Sequence, residues 1–410
     1  MKFDVHAALR EGFTDPIRDT LWGHIYLTPG LAALTRSAPF MRLFRIFQLG
    51  PVYCVYPGAT HTRASHSIGV YYLGRRLLEN LIEKGAEDWT TPAGVLSFLC
   101  ACLLHDLGHF PYTHSLKELS LKAHEKLTGE IILAEPMRGL IAAAGADPAF
   151  TAAVVDASLQ GTDKELLFYR KLLSGALDPD KLDYLNRDAR FCGVPYGAQD
   201  VDFILSRLYP HPERGVDIDT RGIPSVESIL FSKYLMYRTV YWHRQVRSAT
   251  AMIKKALLGF LESGNVAPEE LYDLDDQSLF ALIKSPLADS VHEGRLYSAA
   301  AEIPYAEDKH RRLRDIHSRS ACEEALAAKL KDSGVPVAAG ELIIDVPEPV
   351  SFETGLFVRD EDRYFAESSS AFRSETVNSF VKSLYTVRIF TAPAYDGKIQ
   401  ALPELLDGFF

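Results

Sequence analysis

Histidines are concentrated in one part of this chain. The 410-residue sequence contains 13 His, and six of them fall between residues 61 and 124, far more than even spacing would give. These six are His61, His66, His105, His109, His114 and His124. Imidazole is a common metal ligand and is also the side chain that titrates near neutral pH. Any one of these His alone is more typical of an ordinary core or surface position, but the cluster predicts a metal or acid–base site.

The segment His105-Asp106-Leu107-Gly108-His109 has a pattern that favours metal binding. The run that contains it, residues 94–107, is otherwise almost wholly apolar, which predicts a helix buried on all sides. Charge in such a position is costly unless it is paired or coordinates a metal. Because Gly108 permits the helix to end, His105 and Asp106 could turn toward one ion.

Two other stretches supply candidate residues. Arg63 and His66 are three residues apart on a helix and share a face, so they would place a cation beside a ligand, as a phosphate next to a metal requires. Asp180, Tyr184 and Asp188 are spaced four residues apart and form one stripe of a later helix. On local grounds alone, a solvated charged face explains that stripe equally well.

Four of these residues, His66, His105, Asp106 and Asp180, make a mixed imidazole and carboxylate set. Such a set suits Zn, Fe, Mn, Co or Ni, and a lone Mg less well. We therefore expect one divalent transition metal, with water and a phosphate oxygen completing its coordination.

The elements that must position these residues are mainly helices. Apolar spacing predicts a helix over residues 67–84, and Asp178-Pro179 has the cap and first-turn residues that open another. Residues 225–263 could form one long helix, because they contain no Pro and their single Gly lies near the far end. These helices belong to a predicted helical unit over residues 1–265.

The pattern changes after about residue 265. Strands are predicted over residues 341–346, 355–358 and 385–390, with a helix over 373–383. The sequence therefore predicts a mainly α fold, with a helical core followed by a smaller C-terminal α+β region over residues 266–410. Because no flexible linker separates them, we expect this region to pack on the core.

Composition and charge exclude several classes of protein. Apolar residues make up 47% of the sequence and charged residues 24%, which is typical of a globular protein and not of a disordered one. The formal net charge of −10 leaves nucleic-acid binding unsupported, so any anion site must be local. No apolar run of membrane-spanning length and no signal-peptide pattern is found, from which we expect no membrane span and a cytoplasmic location.

Several motifs resemble one known family in their order along the chain. They are Asp15-Pro16-Ile17, Trp22-Gly23-His24-Ile25, Gln48-Leu49-Gly50, residues 56–63 with His66-Ser67-Ile68-Gly69-Val70, residues 105–109 with Pro111 and His114, His124-Glu125, and residues 177–184. The chain resembles the HD superfamily of metal-dependent phosphohydrolases. Within it, the chain is most similar to the deoxynucleoside triphosphate triphosphohydrolases, including the HD part of the vertebrate SAM-and-HD-domain enzyme and its bacterial relatives. The likeness is vague beyond Gly264.

The resemblance implies a role for each matching residue. His66, His105, Asp106 and Asp180 match the metal ligands. Arg63, Lys181 and Tyr184 match groups that contact the triphosphate. His114 and His124 match histidines proposed for acid–base work, with His109 at a neighbouring position of the motif. Gln48 and Asp188 match residues that recognise the sugar 3′-hydroxyl, and Tyr241 and His243 fall where the family places phosphate and base contacts.

The implied reaction is attack of water at the α-phosphorus of a dNTP, releasing deoxynucleoside and intact triphosphate. His114 is the first choice to protonate the leaving 5′-oxygen, a task suited to a His whose pKa lies near the working pH. The resemblance also implies Mg as a companion ion of the triphosphate, and a homo-oligomer, because relatives assemble as dimers or larger.

A departure from the family leaves alternatives open. Lys117 stands three residues after His114, where the vertebrate enzyme has an Asp, and Glu118 could substitute for that Asp. One alternative is an HD phosphohydrolase acting on nucleoside monophosphates, cyclic nucleotides or other phosphoesters. Another is a nucleotide- or nucleic-acid-binding regulator without turnover. The matches at Gln48 and Asp188 favour a dNTP substrate, because only a site that recognises the sugar needs them.

Overall fold

The fold is described by a computed structural model for residues 4–14, 16–395 and 398–399. Asp15 of the first motif and residues 400–410 of the predicted C-terminal region lie outside the described residues. As the sequence predicts, the fold is mainly α, with a smaller α+β region after the helical core.

The α-helices of the first part of the chain run as follows: α1 Val5–Arg10, α2 Pro29–Thr35, α3 Ala38–Leu43, α4 Arg63–Glu83, α5 Pro92–Leu104, α6 His124–Leu133, α7 Met137–Ala143, α8 Pro148–Val155, α9 Lys164–Leu173, α10 Pro179–Cys192, α11 Val201–Ser206, α12 Ile223–Met236 and α13 Arg244–Glu262. Those of the remainder are α14 Glu269–Tyr272, α15 Asp276–Leu282, α16 Pro286–His292, α17 Glu307–His310, α18 Ile316–Asp332 and α19 Ser374–Leu384.

Helices α4, α5 and α10 form the frame that positions the candidate site. Each begins at a side-chain cap, provided by Thr62, Thr91 and Asp178, which accepts a hydrogen bond from a backbone N–H of the first turn. Helix α4 packs against both α5 and α10. It begins four residues before the predicted start, whereas α5 ends at Leu104, three residues before the predicted end. The predicted metal ligands therefore lie in the first turn of a helix or just after a helix ends.

The prediction of one long helix over residues 225–263 is wrong. Helix α12 ends at Met236, a π-helical turn follows over Tyr237–Tyr241, and α13 begins only at Arg244. His243 has an extended ψ of 134° and caps α13 through its ring nitrogen. Aromatic and β-branched residues make up most of the π turn, and such residues have poor helix propensity, which the absence of Pro and Gly conceals.

The strands are β1 Ile17–Asp19, β2 Gly23–Ile25, β3 Leu208–His211, β4 Gly215–Ile218, β5 Ser298–Pro304, β6 Leu342–Asp345, β7 Phe357–Val358, β8 Arg363–Tyr364 and β9 Thr386–Thr391. They form three sheets, with orders β1-β2, β3-β4-β7-β8 and β5-β9-β6. The predicted C-terminal strands are present as β6, β7 and β9. Strands β1 to β5 and β8 went unpredicted, since most are only two to four residues long.

The C-terminal region is tied closely to the first part of the chain. Strand β7 pairs in parallel with β4, so one sheet contains strands from both regions. The buried Arg247 on α13 donates two hydrogen bonds to the buried Asp345 on β6, one of them over 2.8 Å. A shared sheet and a buried ion pair therefore connect the two parts of the chain. Among the described residues, none of the helices has the length and apolar character that crossing a membrane would need.

Candidate active site

Three helix ends bring the predicted metal ligands together. His66 lies in the first turn of α4, His105 and Asp106 follow the end of α5, and Asp180 lies in the first turn of α10. His66, His105 and Asp106 each offer one ligand atom, and these atoms lie within 4.8 Å of one another. His66 and Asp106 are buried, whereas the side chain of Asp180 is 39% exposed and forms the open side of the group.

The polar atoms of this group are better arranged to coordinate a cation than to form hydrogen bonds with one another. His105 Nε2 is buried and has no hydrogen-bond partner, although Asp106 Oδ1 lies 3.2 Å away and Asp180 Oδ1 lies 4.0 Å away. His66 Nε2 lies 3.0 Å from the same Asp180 oxygen. Ligands about 2.0–2.2 Å from one ion are separated by roughly 3–4 Å, which matches these distances. The donor set therefore suits one divalent transition metal and does not select among Mn, Fe, Zn, Co and Ni.

Asp183, which the sequence analysis did not select as a site residue, orients His66. His66 Nδ1 donates to Asp183 Oδ2 over 2.8 Å, which leaves the lone pair of Nε2 directed at the other ligands. Asp183 also accepts two hydrogen bonds from Arg187 and one from the Trp22 indole. The spacing of Asp183 and Arg187, four residues apart on one helix, was the available sequence signal.

Gly69 makes room for this support. A Cβ atom at Gly69 would lie 1.9 Å from Asp183 Oδ1 and 2.5 Å from Arg187 Nη2. Only glycine lets α4 approach α10 closely enough for the Asp183–Arg187 pair to reach His66. The His66-Ser67-Ile68-Gly69 motif thus contains both a ligand and the space for the carboxylate behind it.

Gly108 has a different role from the predicted one. Helix α5 already ends at Leu104, so Gly108 is not needed to stop it. A Cβ atom at Gly108 would lie 2.1 Å from His124 O and 2.5 Å from Thr128 N. The Thr128 hydroxyl accepts from Gly108 N and donates to His105 O. Gly108 therefore allows α6, which carries His124, to lie directly against the His-Asp segment.

Asp106 joins the metal-ligand group to a second group of imidazoles. Arg63 Nη1 donates to Asp106 Oδ2 over 2.9 Å, and Asp106 Oδ1 lies 3.0 Å from His109 Nδ1. Burial alone would raise the pKa of Asp106, but His109, His105 and Arg63 outweigh it and hold that pKa well below its usual range. Arg63 Nε is buried without a partner, so the guanidinium keeps donor capacity for a ligand.

His109, His114 and His124 form the second group, and their ligand atoms also lie within 4.8 Å of one another. His109 and His114 share a hydrogen bond between their Nε2 atoms over 3.1 Å, and the rings of His109 and His124 are 3.9 Å apart between centroids. The structure therefore brings together the two histidines that the resemblance assigns to acid–base work, His114 and His124, with His109 between them.

The surroundings of His114 do not favour a near-neutral pKa. Burial lowers the pKa of His114 well below its usual range, and His109, Arg63 and Lys117 lower it further. Burial likewise lowers the pKa of His124, to about 2. Glu118 does not replace the missing Asp near His114, because its carboxylate accepts hydrogen bonds from Lys254 and Arg319 instead.

Lys181 and Tyr184 lie on α10 next to the metal-ligand group, but Lys181 is already paired. Its Nζ donates to Asp178 Oδ2 over 2.7 Å and to Gly175 O over 2.9 Å. Glu353 Oε2, from the C-terminal region, lies 4.0 Å from Lys181 Nζ and 3.1 Å from Lys233 Nζ. Sequence analysis had no signal for Lys233 and Glu353, since 120 residues separate them.

Asp188 and Tyr241 meet at the other end of the α10 stripe. The Tyr241 hydroxyl donates to Asp188 Oδ2 over 2.6 Å, and His61 Nε2 donates to Asp188 Oδ1 over 2.8 Å. Gln48 is joined to this corner through its backbone N–H, which donates to His61 O, while its side-chain Oε1 is buried without a partner. Asp188 is buried, so a solvated charged face does not explain this part of the stripe.

His243 is not joined to either imidazole group. Its Nδ1 caps α13, and its ring lies edge-on to Tyr56 with centroids 6.3 Å apart. In the described part of the chain, no hydrogen bond, ion pair or ring contact connects it to the other predicted site residues. Burial and the charges of Arg244 and Arg388 lower its pKa. A helix cap is the role that its contacts support.

Known sequence families match most of this architecture. The pattern of the HD domain matches residues 63–145, which contain α4, the His-Asp segment and both imidazole groups. The pattern of the HD associated region matches residues 200–395. The chain belongs to the HD superfamily.

Curated relatives of this HD-superfamily chain include an uncharacterized protein and a named enzyme. The chain is 37% identical to the uncharacterized protein YwfO of Bacillus subtilis over 224 residues, which are 55% of this chain and 50% of that protein. It is 26% identical to the deoxynucleoside triphosphate triphosphohydrolase SAMHD1 of Bos taurus over 390 residues, which are 84% of this chain and 65% of that protein. The chain spans about half the length of several curated relatives it matches.

A solved structure shares the fold of this HD-superfamily chain. A phosphohydrolase from Bacteroides thetaiotaomicron superposes with a TM-score of 0.71 at 23% identity, over 92% of this chain and 100% of that one. The helical core and the C-terminal region therefore occur together in another protein, as one fold.

Proposed function

We propose that this protein hydrolyses a deoxynucleoside triphosphate to deoxynucleoside and triphosphate, by attack of water at the α-phosphorus, with a divalent metal. The observation that carries the proposal is the position of Asp106. One of its oxygens lies 3.2 Å from a predicted ligand, His105, and 3.0 Å from a predicted acid–base residue, His109. A metal-dependent phosphohydrolase needs such adjacent groups, because charge neutralisation and proton transfer act on the same phosphate. That one relative is named a deoxynucleoside triphosphate triphosphohydrolase supports the same substrate class.

The proposed metal residues are His66, His105, Asp106 and Asp180. An ion held by them supplies Lewis-acid polarisation of a phosphate oxygen. Arg63 is placed to add positive charge beside the same phosphate, because its Nη1 is fixed by Asp106 while its buried Nε remains unpartnered. Lys181 is placed to neutralise the remaining phosphates, with Tyr184 one turn further along α10.

His114 is the proposed general acid. In the reaction a bond forms between the water oxygen and the α-phosphorus, the bond from that phosphorus to the 5′-oxygen breaks, and the proton that the water loses passes to solvent. The 5′-oxygen takes a proton from His114 and leaves as the deoxynucleoside hydroxyl. The imidazole must carry that proton first, and the negative charge of a bound triphosphate favours its protonation over the neutral form. His109 and His124 hold the ring in place through the contacts described above.

The sugar end is proposed to lie at Gln48, Asp188 and Tyr241. The unpartnered buried Oε1 of Gln48 is an acceptor suited to a sugar hydroxyl, since a buried acceptor gains most from a donor. Asp188 and Tyr241 would close the same corner. His243, as a helix cap beside Tyr56, would act only at the edge of this site.

A second candidate function is hydrolysis of another phosphoester, such as a nucleoside monophosphate or a cyclic nucleotide. It is favoured by the hydrogen bonding of Asp188, whose two oxygens already accept from His61 and Tyr241. A carboxylate held in this way has less capacity to accept a hydrogen bond from a sugar hydroxyl.

The test is to incubate the protein with each dNTP, and with mixtures of dNTPs, in the presence of Mn²⁺, and to separate the products by ion exchange. Deoxynucleoside plus intact triphosphate supports the proposal. Monophosphate plus pyrophosphate contradicts the α-phosphorus mechanism with triphosphate release. No turnover with mixtures contradicts the dNTP substrate and moves the assay to other phosphoesters or to a regulator without turnover. The Asp106→Ala variant, purified identically, is the control for contaminating phosphatase.

We also propose a homo-oligomer, an expectation that rests on the resemblance alone. Light scattering with a dNTP and Mn²⁺ present is expected to give a mass above the 45.7 kDa of one chain. A mass of one chain under those conditions contradicts this proposal and leaves the proposed reaction standing.

A further inference from the structure

The segment that carries His114 has an unfavourable backbone. Residues Thr113–Leu119, here called the His114 segment, form a 3₁₀ helix of seven residues, longer than the three or four that such helices usually reach. It is bounded by Tyr112 with φ of 61° and Ser120 with φ of 55°. Left-handed conformations of residues with side chains persist only where surrounding contacts enforce them. Something outside the segment must therefore hold it.

Part of the support is apolar. Tyr112 packs against Gly50, where an added Cβ would lie 3.3 Å from the Tyr112 ring, and edge-on to Phe280 of α15. Leu116 is 1% exposed and belongs to a hydrophobic cluster shared with α13 and with helices after residue 265. These contacts anchor Tyr112 and Leu116, but they do not by themselves fix the position of the rest of the segment.

The remaining support is a buried ionic group, here called the Glu118 clamp: Glu118, Lys254 and Arg319. Lys254 Nζ, on α13, donates to Glu118 Oε2 over 2.8 Å. Arg319, on α18, donates to Glu118 Oε1 over 3.2 Å and also to Oε2. The exposed fractions of the three side chains are 12%, 8% and 4%. Burial raises the pKa of Glu118, but Lys254 and Arg319 outweigh it, so the carboxylate remains charged.

Such a group fixes position strongly. If the His114 segment moved, it would leave two buried cations without their carboxylate, which is strongly unfavourable. Glu118 lies four residues after His114 in the same short helix, so fixing Glu118 fixes the base of His114. The partners come from 136 and 201 residues further along the chain.

We propose that Glu118, Lys254 and Arg319 are positioning residues for His114, through which the C-terminal region holds the His114 imidazole against His109 and His124. The inference rests on the proposed function only for its catalytic readout. It gives the HD associated region a task in the reaction: that region completes the proton-transfer group, whereas the metal ligands are positioned by residues before about 190, chiefly on α4, α5 and α10.

A neighbouring ion pair provides a matched control. Lys255 on α13 binds Glu323 on α18. This pair therefore joins the two helices that carry Lys254 and Arg319 of the clamp. Glu323 also accepts from Ile344 N. In the described part of the chain, no hydrogen bond or ion pair joins this pair to the His114 segment. Breaking it costs stability between the same elements without releasing Glu118.

The experiment compares Glu118→Gln, Arg319→Lys and Lys254→Met with the control Lys255→Met, all in the full chain. It measures kcat, KM, bound metal per chain, and hydrogen–deuterium exchange of residues 113–120. In the clamp variants, kcat is expected to fall about 10–100-fold, because small misplacement of a catalytic group has effects of that order. KM is expected to change less than about twofold, and bound metal not at all. The amides of Ser115 and Leu116, which both donate to Tyr112 O, are expected to exchange faster.

In Lys255→Met, kcat and the exchange of residues 113–120 are expected to stay as in the wild type, even where its melting temperature falls as far as in the clamp variants. The double variant Glu118→Gln with Lys254→Met is expected to lose little more kcat than either single variant, since both release one clamp. Arg319→Lys keeps the positive charge, so it remains available as a clamp variant if Lys254→Met fails to fold.

Two results would overturn the proposal. One is an equal loss of kcat in the clamp variants and in Lys255→Met, which would mean a general effect of stability. The other is unchanged exchange of residues 113–120 when Glu118 is replaced by Gln. If the wild-type protein turns over no nucleotide, the proposed function fails, and the exchange comparison still decides whether the clamp holds the segment.

Discussion

The two imidazole groups share one carboxylate, Asp106, but are built in different ways. The metal-ligand group lies on the ends of three regular helices, with a buried carboxylate, Asp183, behind its first histidine. The group of His109, His114 and His124 lies on a turn, a 3₁₀ segment and the first residue of α6. Regular helices packed together need no outside support to keep their ends in place, whereas a strained segment does.

This difference separates two tasks. The metal-ligand group is positioned entirely by residues before about 190, and its support is local to the helical core. The second group is held through Glu118 by α13 and α18, so part of its support lies beyond residue 300. Ion binding should therefore tolerate changes in the C-terminal region that impair proton transfer. The predictions below test this division.

The largest effect is expected at the residue that both groups share. Asp106→Ala removes a metal ligand and the carboxylate beside His109 at once. We expect bound metal to fall far below one ion per chain. Activity should fall by more than the roughly 100-fold that loss of a supporting partner costs. Elemental analysis measures the bound metal, and product chromatography measures the activity. The exposed cap variant Asp163→Asn is the control, and a full metal complement in Asp106→Ala would contradict the ligand assignment.

The next effect separates the groups. His114→Ala is expected to lower kcat by about 10²–10⁴-fold, the range typical of a lost general acid, while bound metal stays at the wild-type level. His317→Ala, at a histidine that is 68% exposed, is the matched control and should change neither value. Loss of metal in His114→Ala would mean that the two groups form one binding site, which would remove the division proposed above.

A smaller effect is expected behind the metal ligands. Asp183→Asn keeps the shape of the side chain but removes the charge that orients His66 Nδ1. Loss of such a partner typically weakens metal affinity by about 10–100-fold. We expect activity to return at saturating Mn²⁺, which a titration of rate against metal concentration would show. Activity that stays low at every Mn²⁺ concentration would place Asp183 in the chemistry itself.

Local sequence patterns predicted the helices that carry the proposed metal ligands, because each of these helices has its own local signal. Asp178 caps α10 as its residue type indicates, and Asp180 then lies in the first turn. The apolar run before His105 predicted a buried helix that ends near the His-Asp pair. The resemblance assigned separate roles to Asp188 and Tyr241, but it did not predict the hydrogen bond between them.

Interactions between distant segments were not predictable from the sequence. The clamp joins residues 136 and 201 positions apart, and no periodicity links Glu118 to its partners. The π turn at Tyr237–Tyr241 was missed for a related reason. Its Tyr241 hydroxyl donates to Asp188 on α10, a contact between distant segments, while the absence of Pro favoured a continuous helix. The β3-β4-β7-β8 sheet needs strands from both regions, and three of its four strands, β3, β4 and β8, are too short to recognise from the sequence.

The smallest effect concerns the other place where the C-terminal region reaches the site. Glu353 faces Lys233 over 3.1 Å and Lys181 over 4.0 Å, so its charge offsets the cations that would receive a triphosphate. Its side chain is 39% exposed, and screening limits such a pair to about 1 kcal/mol or less. Glu353→Gln is therefore expected to lower KM by no more than about fivefold at unchanged kcat. The Glu118 clamp variants are expected to change kcat and not KM, whereas Glu353→Gln should change KM and not kcat. The reason is that Glu353 acts on binding and the clamp acts on proton transfer. Steady-state kinetics at low ionic strength, with the exposed Glu367→Gln as control, distinguish the two. A fall in kcat at unchanged KM would show instead that Glu353 positions Lys233 for the chemical step.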